Sequence, residues 1–467
     1  MGKHRPADVL KSQLSIELKY AKMLYMKAAF HTLGCKVNQY ETQAMAEQFR
    51  DAGFEIVSEE EAADCYIINT CTVTNIADRK SRQFIRRAKK ANPGAVIAVT
   101  GCYSQVKPQE LWAMPEVDIV TGNGDKPHLI DLVKEALEDD KRIYKVLGYD
   151  ELCEYTDRGI IMNMEGRTRA YIKIQEGCNR FCSYCLIPFA RGKVRSRDPE
   201  EIVEEAKSLV DNGFKEIVLT GINTALYGTE EGFREKYGVE EYGIESIIKR
   251  IDAIEGSFRI RLSSLEPTVV NAEYVKGLLK YAKLCPHLHL SIQSGSDHII
   301  SAMNRHYTRQ DYLDIVNVLV ADDPGYGITT DIIVGFPGET EEDFEDSLKM
   351  VDEAGFLKVH VFKYSEREGT KAAGMKDQVP GEIKNERSDR LIEKGEEIAN
   401  RFFRIEAGNL RTALFEEITE EGLLTGYTEN YVKVYAEPDG DPEKLLNEFC
   451  TVIMGTPFED GMTAEIV

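Results

Sequence analysis

Residues 176–192 read EGCNRFCSYCLIPFARG, and the three cysteines in this stretch decide how the chain is read. Cys178, Cys182 and Cys185 follow a C-x3-C-x2-C pattern, interleaved with Arg180, Phe181 and Tyr184. A disulfide leaves one thiol over, and structural zinc wants a fourth nitrogen or sulfur ligand, yet no His lies within the stretch. Three thiolates without a fourth partner suit an iron–sulfur cluster with one iron left open. The choice among these depends on what surrounds the motif.

Outward from the triplet, residues 168–370 hold six strand-like segments: TRAYIKIQEG, EIVLTGIN, FRIRLSSLEP, HLHLSIQSG, GITTDIIVGFPGE and FLKVHVFKYS. Amphipathic helical stretches separate them. DPEEIVEEAKSLVDNG, for example, opens with Asp198 as N-cap, Pro199 at the first helical position and Glu201 three after the cap, and closes at Gly213. Six such repeats predict a partial (β/α)6 barrel whose site lies at the carboxyl ends of its strands. The triplet follows the first strand, on that face.

Upstream, residues 27–140 alternate strand and helix and predict an open parallel α/β domain. Its strands KAAFHTL, DCYIINT and AVIAVT each end at a cysteine: Cys35, Cys71 and Cys102. Carboxyl ends of parallel strands share one edge, where ligands bind, so three cysteines far apart in sequence should meet there. A single strand-end cysteine is explained as a small buried hydrophobe; three at equivalent places point to a cluster. Residues 1–26 form an N-terminal extension and 141–165 a linker without periodicity. The barrel domain then spans 166–398, and 399–467 carry five short strands that predict a small β-barrel of the oligonucleotide-binding kind. The fold class is α/β, with that β-barrel appended.

The chain of 467 residues exceeds one domain's worth, and 42% hydrophobic with 30% charged residues is ordinary for a globular protein. No window approaches the about 18 apolar residues of a membrane span, so no membrane partner is expected. The first residues lack the pattern of a signal peptide, and ten cysteines then point to reduced thiols and metal in the cytoplasm. A net charge of −22 argues superficially against nucleic acid, but placement matters more than the sum. Residues 79–90, RKSRQFIRRAKK, hold seven Lys/Arg and no acid, among them Arg82, Arg86 and Arg87. Residues 166–197 hold eight Lys/Arg against the single acid Glu176. Each run is either a solvated face or part of a phosphate-binding footprint.

The triplet in its barrel context resembles the radical S-adenosylmethionine enzymes, and the chain from 27 to 467 resembles their methylthiotransferase family. The resemblance implies two [4Fe–4S] clusters. Cys178, Cys182 and Cys185 fall on the radical-cluster positions, whose open iron takes S-adenosylmethionine, and Cys35, Cys71 and Cys102 fall on the auxiliary-cluster positions. It also implies a C-terminal TRAM barrel that binds RNA. Members insert sulfur into an unreactive C–H bond and add a methyl group, consuming two S-adenosylmethionine molecules. One cluster generates the radical, and the other presents a sulfur species. An electron donor such as flavodoxin or ferredoxin and a sulfur donor are implied as partners. HTLGCKVNQYE and NTCTVTNIADRKSRQ look like the branch acting on threonylcarbamoyladenosine at position 37, in the anticodon stem-loop of tRNA. The alternatives are the isopentenyladenosine branch, which tends toward YGCQMN, and the branch modifying a ribosomal-protein aspartate, which tends toward LGCPKN. A third, of another class, is a cluster-bearing RNA-binding sensor without turnover.

The same resemblance assigns further contacts. Tyr184 should present its backbone to the adenine, and LTGINT places Gly221 and Asn223 toward the methionine amino group. Glu266, Gln293 and Asp331 lie near later strand ends and suit polar contacts to cofactor or substrate, or hydrogen-bonded structural roles. Lys36 follows Cys35, where the other branches have Gln or Pro. It either meets the free carboxylate of threonylcarbamoyladenosine, offsets the auxiliary cluster's charge, or sits in solvent. GFPGE (335–339) lacks the Lys and spacing of a phosphate loop. Cys65, Cys153, Cys285 and Cys450 read as buried structural thiols. One departure from the family stands out: residues 406–467 carry fourteen Asp/Glu against three Lys/Arg, while a barrel tracking phosphates should be basic. RNA contact there would fall to a small face with Tyr427, Tyr431 and Lys433, or the basic runs at 79–90 and 166–197 would carry more of it.

Overall fold

The structure, a computed structural model, describes residues 26–139, 141–152, 155 and 168–467. Most of the expected N-terminal extension, much of the expected linker and Cys153 lie outside the described residues. The chain forms two compact units. The first takes the described residues up to 155 together with Phe189–Gly192, and the second takes 168 to Pro188 and Lys193–Val467.

The first unit is built on β1 (Lys27–Thr32), β2 (Glu55–Val57), β3 (Cys65–Thr70), β4 (Val96–Gly101), β5 (Ile119–Thr121) and β6 (Ile143–Lys145). All are parallel, in the order β2-β1-β3-β4-β5-β6. Strand alternation feeds two cores. Tyr66, Ile68, Ile97 and Val99 face Phe84 and Ile85 of helix Asn75–Ala91. Ile67, Val96 and Ala98 face Met45 and Phe49 of helix Lys36–Asp51, with Leu129, Leu132 and Val133 of helix Leu129–Asp139. A sheet buried on both faces is what a parallel topology requires. Strand β6 corrects the expected boundary at 140: Ile143–Lys145 pairs with β5 and belongs to this sheet, not to a linker. At three residues it is too short to show periodicity in sequence.

The second unit opens with β7 (Arg169–Glu176), beside the short antiparallel β8 (Arg195–Ser196). It continues with β9 (Glu216–Gly221), β10 (Arg259–Leu262), β11 (His287–His289), β12 (Gly327–Val334) and β13 (Lys358–Lys363). With β8 set aside, these six strands run parallel in chain order. Backbone bridges Ile260–Leu284 and Leu265–Leu290 join the β7–β10 sheet to β11–β13. The expected partial (β/α)6 barrel is therefore present. The small barrel follows: β14 (Leu410–Ile418), β15 (Leu424–Thr428), β16 (Lys433–Ala436), β17 (Phe449–Phe458) and β18 (Gly461–Ile466), closed in the order β14-β15-β16-β18-β17. Its core takes Phe402 and Phe403 from helix Gly381–Glu406, so that helix runs through the boundary expected at 398/399. Among the described residues no helix is long and apolar enough to cross a membrane.

A buried charge network fastens the small barrel to the amino-terminal ends of the strands. Glu216, the first residue of β9, is fully buried. It accepts from Arg259 Nε at 2.6 Å and Arg261 Nε at 2.7 Å, with Arg169 Nε 3.9 Å away. The same guanidinium groups donate to barrel carbonyls: Arg259 to Thr412 and Tyr427 at 3.1 and 2.9 Å, Arg261 to Glu429 and Thr428 at 3.1 and 3.3 Å. Burial alone would raise the Glu216 carboxyl, but Arg261, Arg259 and Arg169 outweigh it and hold the group far below the carboxylate range. A depressed carboxylate stabilises the fold above its unfolded pKa, and that contribution is lost as pH falls toward the depressed folded value. Glu216→Gln should therefore lower stability at pH 7 by about 3–5 kcal/mol, the cost of leaving buried charge uncompensated. Its deficit against the parent should shrink in strong acid. Urea melts at several pH values measure this, and equal midpoints at pH 7 would refute it.

Candidate functional site

In the first unit the three strand-end cysteines are neighbours because the strands are in register. Thr70 of β3 pairs with Gly101 of β4, so Cys71 and Cys102, the next residues, leave the sheet side by side. Cys35 arrives from β1, whose Thr32 pairs with Asn69. Gly34, at φ 109°, lets that strand pass close: a Cβ there would lie 2.8 Å from Cys71 Cβ and 2.9 Å from its sulfur. Cys35 is the N-cap of helix Lys36–Asp51 and is exposed, as is Lys36, whereas Cys71 and Cys102 are buried. Burial, then the Cys102 and Cys35 sulfurs, pushes the Cys71 thiol up to about 12, so binding metal there must displace its proton.

Polar groups that sequence reasoning missed surround this trio. Arg191, fully buried, donates from Nε to Cys102 Sγ at 3.1 Å and from Nη2 to Asn38 Oδ1 at 2.5 Å. It also pairs with Glu41, which pairs in turn with the buried Lys126. Asn123 Nδ2 donates to the Ala190 carbonyl at 2.8 Å and lies 3.8 Å from Cys102 Sγ.

In the second unit the Cys178–Cys185 loop leaves the carboxyl end of β7. Phe181 sits at φ 47°, a left-handed conformation unfavourable for a bulky residue. Asn304 Nδ2 holds the turn by donating to the Arg180 and Phe181 carbonyls at 3.2 and 3.1 Å. Ser183 N and Oγ donate to the Met303 and Ala302 carbonyls, both at 2.9 Å, and the Ser183 carbonyl accepts from Ala372 N at 2.7 Å. Two N–H groups point at the sulfurs: Arg305 Nη1 at Cys182, 3.6 Å, and Ile187 N at Cys185, 3.4 Å. Directed N–H donors around clustered thiols are what iron–sulfur ligands use. Burial pushes the Cys178 thiol up to about 11. Among the described residues no three His, Cys, Asp or Glu converge on a single ion. A multi-iron cluster would ask for none, because its ligands need not converge on one metal.

The expected cofactor residues lie around the same end of the barrel. Tyr184 packs edge-on to Phe336, centroids 6.5 Å apart. Gly221 ends β9 against Gln175: a Cβ would meet the Gln175 side-chain oxygen at 3.0 Å. Gln175, another residue missed, accepts from Asn223 N at 2.9 Å and donates to the Gly177 carbonyl at 2.8 Å. Asn223 Oδ1 is buried without a hydrogen-bond partner among the described residues, an acceptor still to be satisfied. Glu266 forms an ion pair with Arg180 at 2.8 Å and accepts from Asn223 Nδ2 at 3.4 Å. Gln293 adopts φ 71° while its backbone bridges to Asp331 and Ile333 at 2.9 Å. Asp331 accepts from Ser291 Oγ at 3.0 Å and lies 3.1 Å from His289 Nε2. Burial would raise its carboxyl, but these hydrogen bonds hold it below the usual range. Asp331 is thus already engaged within the protein.

The two basic runs part company. In helix Asn75–Ala91, Arg79, Lys80, Arg86, Arg87 and Lys90 are exposed. Arg86 lies 3.9 Å from Glu116, and Arg87 pairs with Glu60 at 3.3 Å and Glu59 at 3.7 Å while covering the Phe84 ring, whereas Arg82 donates to Tyr103 Oη at 2.5 Å. The run at 166–197 is not the surface footprint expected. Lys173, Arg191, Arg195 and Arg197 are buried, and Lys173 and Arg197 pair with Glu176 and Glu205. Arg169 pairs with Glu416, 2.7 Å from Nη2. Charge count along a chain does not reveal direction: Lys173 turns to Glu176 of its own strand, Arg197 to nearby Glu205, and Arg191 and Arg169 to Glu41 and Glu416 of distant segments. The barrel face expected at Tyr427, Tyr431 and Lys433 is likewise spent on packing. The two tyrosines stack at 4.9 Å beneath Arg169 and Arg261, and Lys433 pairs with Asp460 at 3.0 Å. Cys65, Cys285 and Cys450 are buried free thiols, as expected.

Comparison with known proteins gives the geometry its context. Residues 27–122 match the uncharacterized protein family UPF0004, and residues 172–351 match the radical SAM superfamily. The chain is 42% identical over 452 residues to the threonylcarbamoyladenosine tRNA methylthiotransferase MtaB of Bacillus subtilis, covering 94% of this chain and 96% of that one. It is 42% identical to the Aquifex aeolicus protein of the same name, over 90% and 99%. To a tRNA-2-methylthio-N(6)-dimethylallyladenosine synthase of Clostridium novyi it is 36% identical, over 88% of each chain. In fold alone it resembles a radical S-adenosylmethionine methyltransferase, TsrM, from Kitasatospora setae, with TM-score 0.55 and 14% identity over 73% of this chain and 75% of that one.

Proposed function

The chain belongs to the radical S-adenosylmethionine methylthiotransferase family, and we propose that it adds a methylthio group to C2 of threonylcarbamoyladenosine at tRNA position 37. The observation that carries the chemistry is a pair of cysteine trios, each at the carboxyl edge of its own parallel sheet. The substrate reading draws on the names of the relatives and on the residues around Cys35. Members of the superfamily use S-adenosylmethionine and a [4Fe–4S] cluster; we assign that cluster to Cys178, Cys182 and Cys185 and a second to Cys35, Cys71 and Cys102. Such a cluster, when reduced, supplies a 5′-deoxyadenosyl radical from S-adenosylmethionine.

This chain's own residues hold and orient. Arg305 and Ile187 direct N–H groups at Cys182 and Cys185, and Asn304 keeps the strained turn between Cys178 and Cys182. Asn223 Oδ1, buried and unsatisfied, suits the methionine amino group, beside a Gly221 backbone that a side chain would crowd. Tyr184, Glu266 and Gln293 remain candidate cofactor contacts, and Asp331 a support held by His289. A flavodoxin- or ferredoxin-like electron donor and a sulfur donor complete the reaction, in the cytoplasm where tRNA is found.

The trios should be separable. Replacing Cys178, Cys182 and Cys185 by Ala should abolish cleavage of S-adenosylmethionine and leave one cluster per chain. Replacing Cys35, Cys71 and Cys102 should retain 5′-deoxyadenosine formation and abolish sulfur insertion. Iron analysis after anaerobic reconstitution, with product nucleosides followed by mass spectrometry, reads both, and loss of all iron from either variant would contradict the assignment. The dimethylallyladenosine reading is tested in the same assay by offering each precursor tRNA.

Arg86 and Arg87 are two adjacent exposed cations of the basic helix. Their replacement by Gln should weaken tRNA binding and reduce the salt slope by about 0.7–0.9 for each phosphate no longer neutralised. An unchanged slope would return the helix to an ordinary solvated role.

Lys36, exposed beside Cys35, would meet the carboxylate that threonylcarbamoyladenosine carries and dimethylallyladenosine lacks. Lys36→Gln should keep both clusters and 5′-deoxyadenosine formation while losing activity on the carboxylate-bearing tRNA. Wild-type efficiency on that substrate would remove Lys36 from the site.

A further inference from the structure

We propose that Arg191 is a positioning residue for the Cys35–Cys71–Cys102 trio, holding the Cys102 sulfur through its Nε hydrogen bond and raising the reduction potential of the cluster bound there. The inference rests on the auxiliary-cluster reading above. Arg191 lies six residues after Cys185, so the stretch that supplies one trio ends in the residue that serves the other.

The guanidinium is fixed on several sides. Its Nη2 donates to Asn38 Oδ1 at 2.5 Å and to Glu41 Oε2 at 3.2 Å. Asn38 Nδ2 in turn donates to the Leu33 carbonyl at 2.7 Å and the Thr70 carbonyl at 3.1 Å, in the segments that run into Cys35 and Cys71. Asn123 Nδ2 anchors the preceding carbonyl, Ala190, at 2.8 Å. Through these hydrogen bonds one planar group is referenced to the backbone before two of the cysteines and to the sulfur of the third.

Neutralising Glu41 does not by itself explain this geometry, because buried Lys126 also pairs with that carboxylate. What Arg191 adds is an N–H aimed at sulfur 3.1 Å away. A neutral thiol is a weak acceptor, whereas a thiolate in a cluster makes this a charge-assisted bond. Hydrogen bonds to cluster sulfurs favour the more negative reduced state and raise the potential, and partners that orient a ligand also govern how well it holds metal. A lysine at 191 keeps the charge but loses the rigid fork that joins Asn38, Glu41 and Cys102.

The test uses the full-length chain with Cys178, Cys182 and Cys185 replaced by Ala, so that only the auxiliary site loads iron and sulfide. Arg191→Lys, Arg191→Gln and Asn123→Leu are made in that parent. Iron content, the EPR spectrum of the reduced cluster and the midpoint potential from a redox titration are measured. The inference expects every variant that loads to show a lower potential than the parent and an altered EPR spectrum, with the Gln shift larger than the Lys shift. A loaded Arg191 variant with the parent's potential and spectrum overturns it, even if less iron is bound, because a merely structural role changes occupancy and not potential. If neither Arg191 variant loads, Arg191 governs occupancy alone and the inference is overturned. A parent that binds no iron overturns the auxiliary-cluster reading itself, and this inference with it.

Discussion

Parallel strands cannot be joined by tight turns, so every connection must cross a face of the sheet and return to the same starting edge. That constraint organises both units. The segments that leave the carboxyl ends of β1, β3 and β4 gather on one edge although their sequences are tens of residues apart. The Cys178–Cys185 loop leaves β7 in the same sense, as do the segments carrying Asn223, Glu266 and Gln293 beyond β9, β10 and β11. A two-residue turn would have scattered these groups to opposite ends. Burial of both sheet faces follows from the same crossovers, and it makes the strands near-continuous apolar runs.

The second organising force is the cost of taking charge out of water. Inward cations meet carboxylates: Arg191 and Lys126 with Glu41, Arg197 with Glu205, Arg259 and Arg261 with Glu216. Such pairs contribute little net stability compared with apolar packing but penalise every alternative arrangement. They act here as fasteners. The Glu216 group settles where the small barrel docks, at the amino-terminal ends of β7, β9 and β10. That is about 25 Å, the length of an eight-residue strand, from the cysteine loop at the other end of β7.

That placement explains how an acidic barrel persists in a protein of this family. The fourteen acids of residues 406–467 are partly neutralised from within, since Glu406 and Glu416 meet Arg411 and Arg169. The aromatic pair Tyr427 and Tyr431 stacks under arginines of the larger barrel and so contributes to docking. Among the described residues, helix Asn75–Ala91 carries a group of exposed cations, Arg79, Lys80, Arg86, Arg87 and Lys90.

Much was legible without coordinates because it depends on local pattern. Cysteine spacing, strand-length apolar runs and helix caps such as Asp198 and Pro199 are properties of neighbouring residues, and they led to both cysteine trios, the six-strand partial barrel and the closed β-barrel. Strand β6 and the continuous helix Gly381–Glu406 escaped because three residues carry no periodicity and a helix can serve two cores without a break. The direction of side chains was beyond reach altogether. Arg191 and Arg86 look alike in a basic run, yet one is sealed against Cys102 and Glu41 and the other faces water. Sequence alone determined which residues could bind metal and on which strand ends they sit, because those follow from local spacing. Only the tertiary structure decided which cations are buried beside the cysteines and which stay exposed, because burial is set by segments that meet after folding.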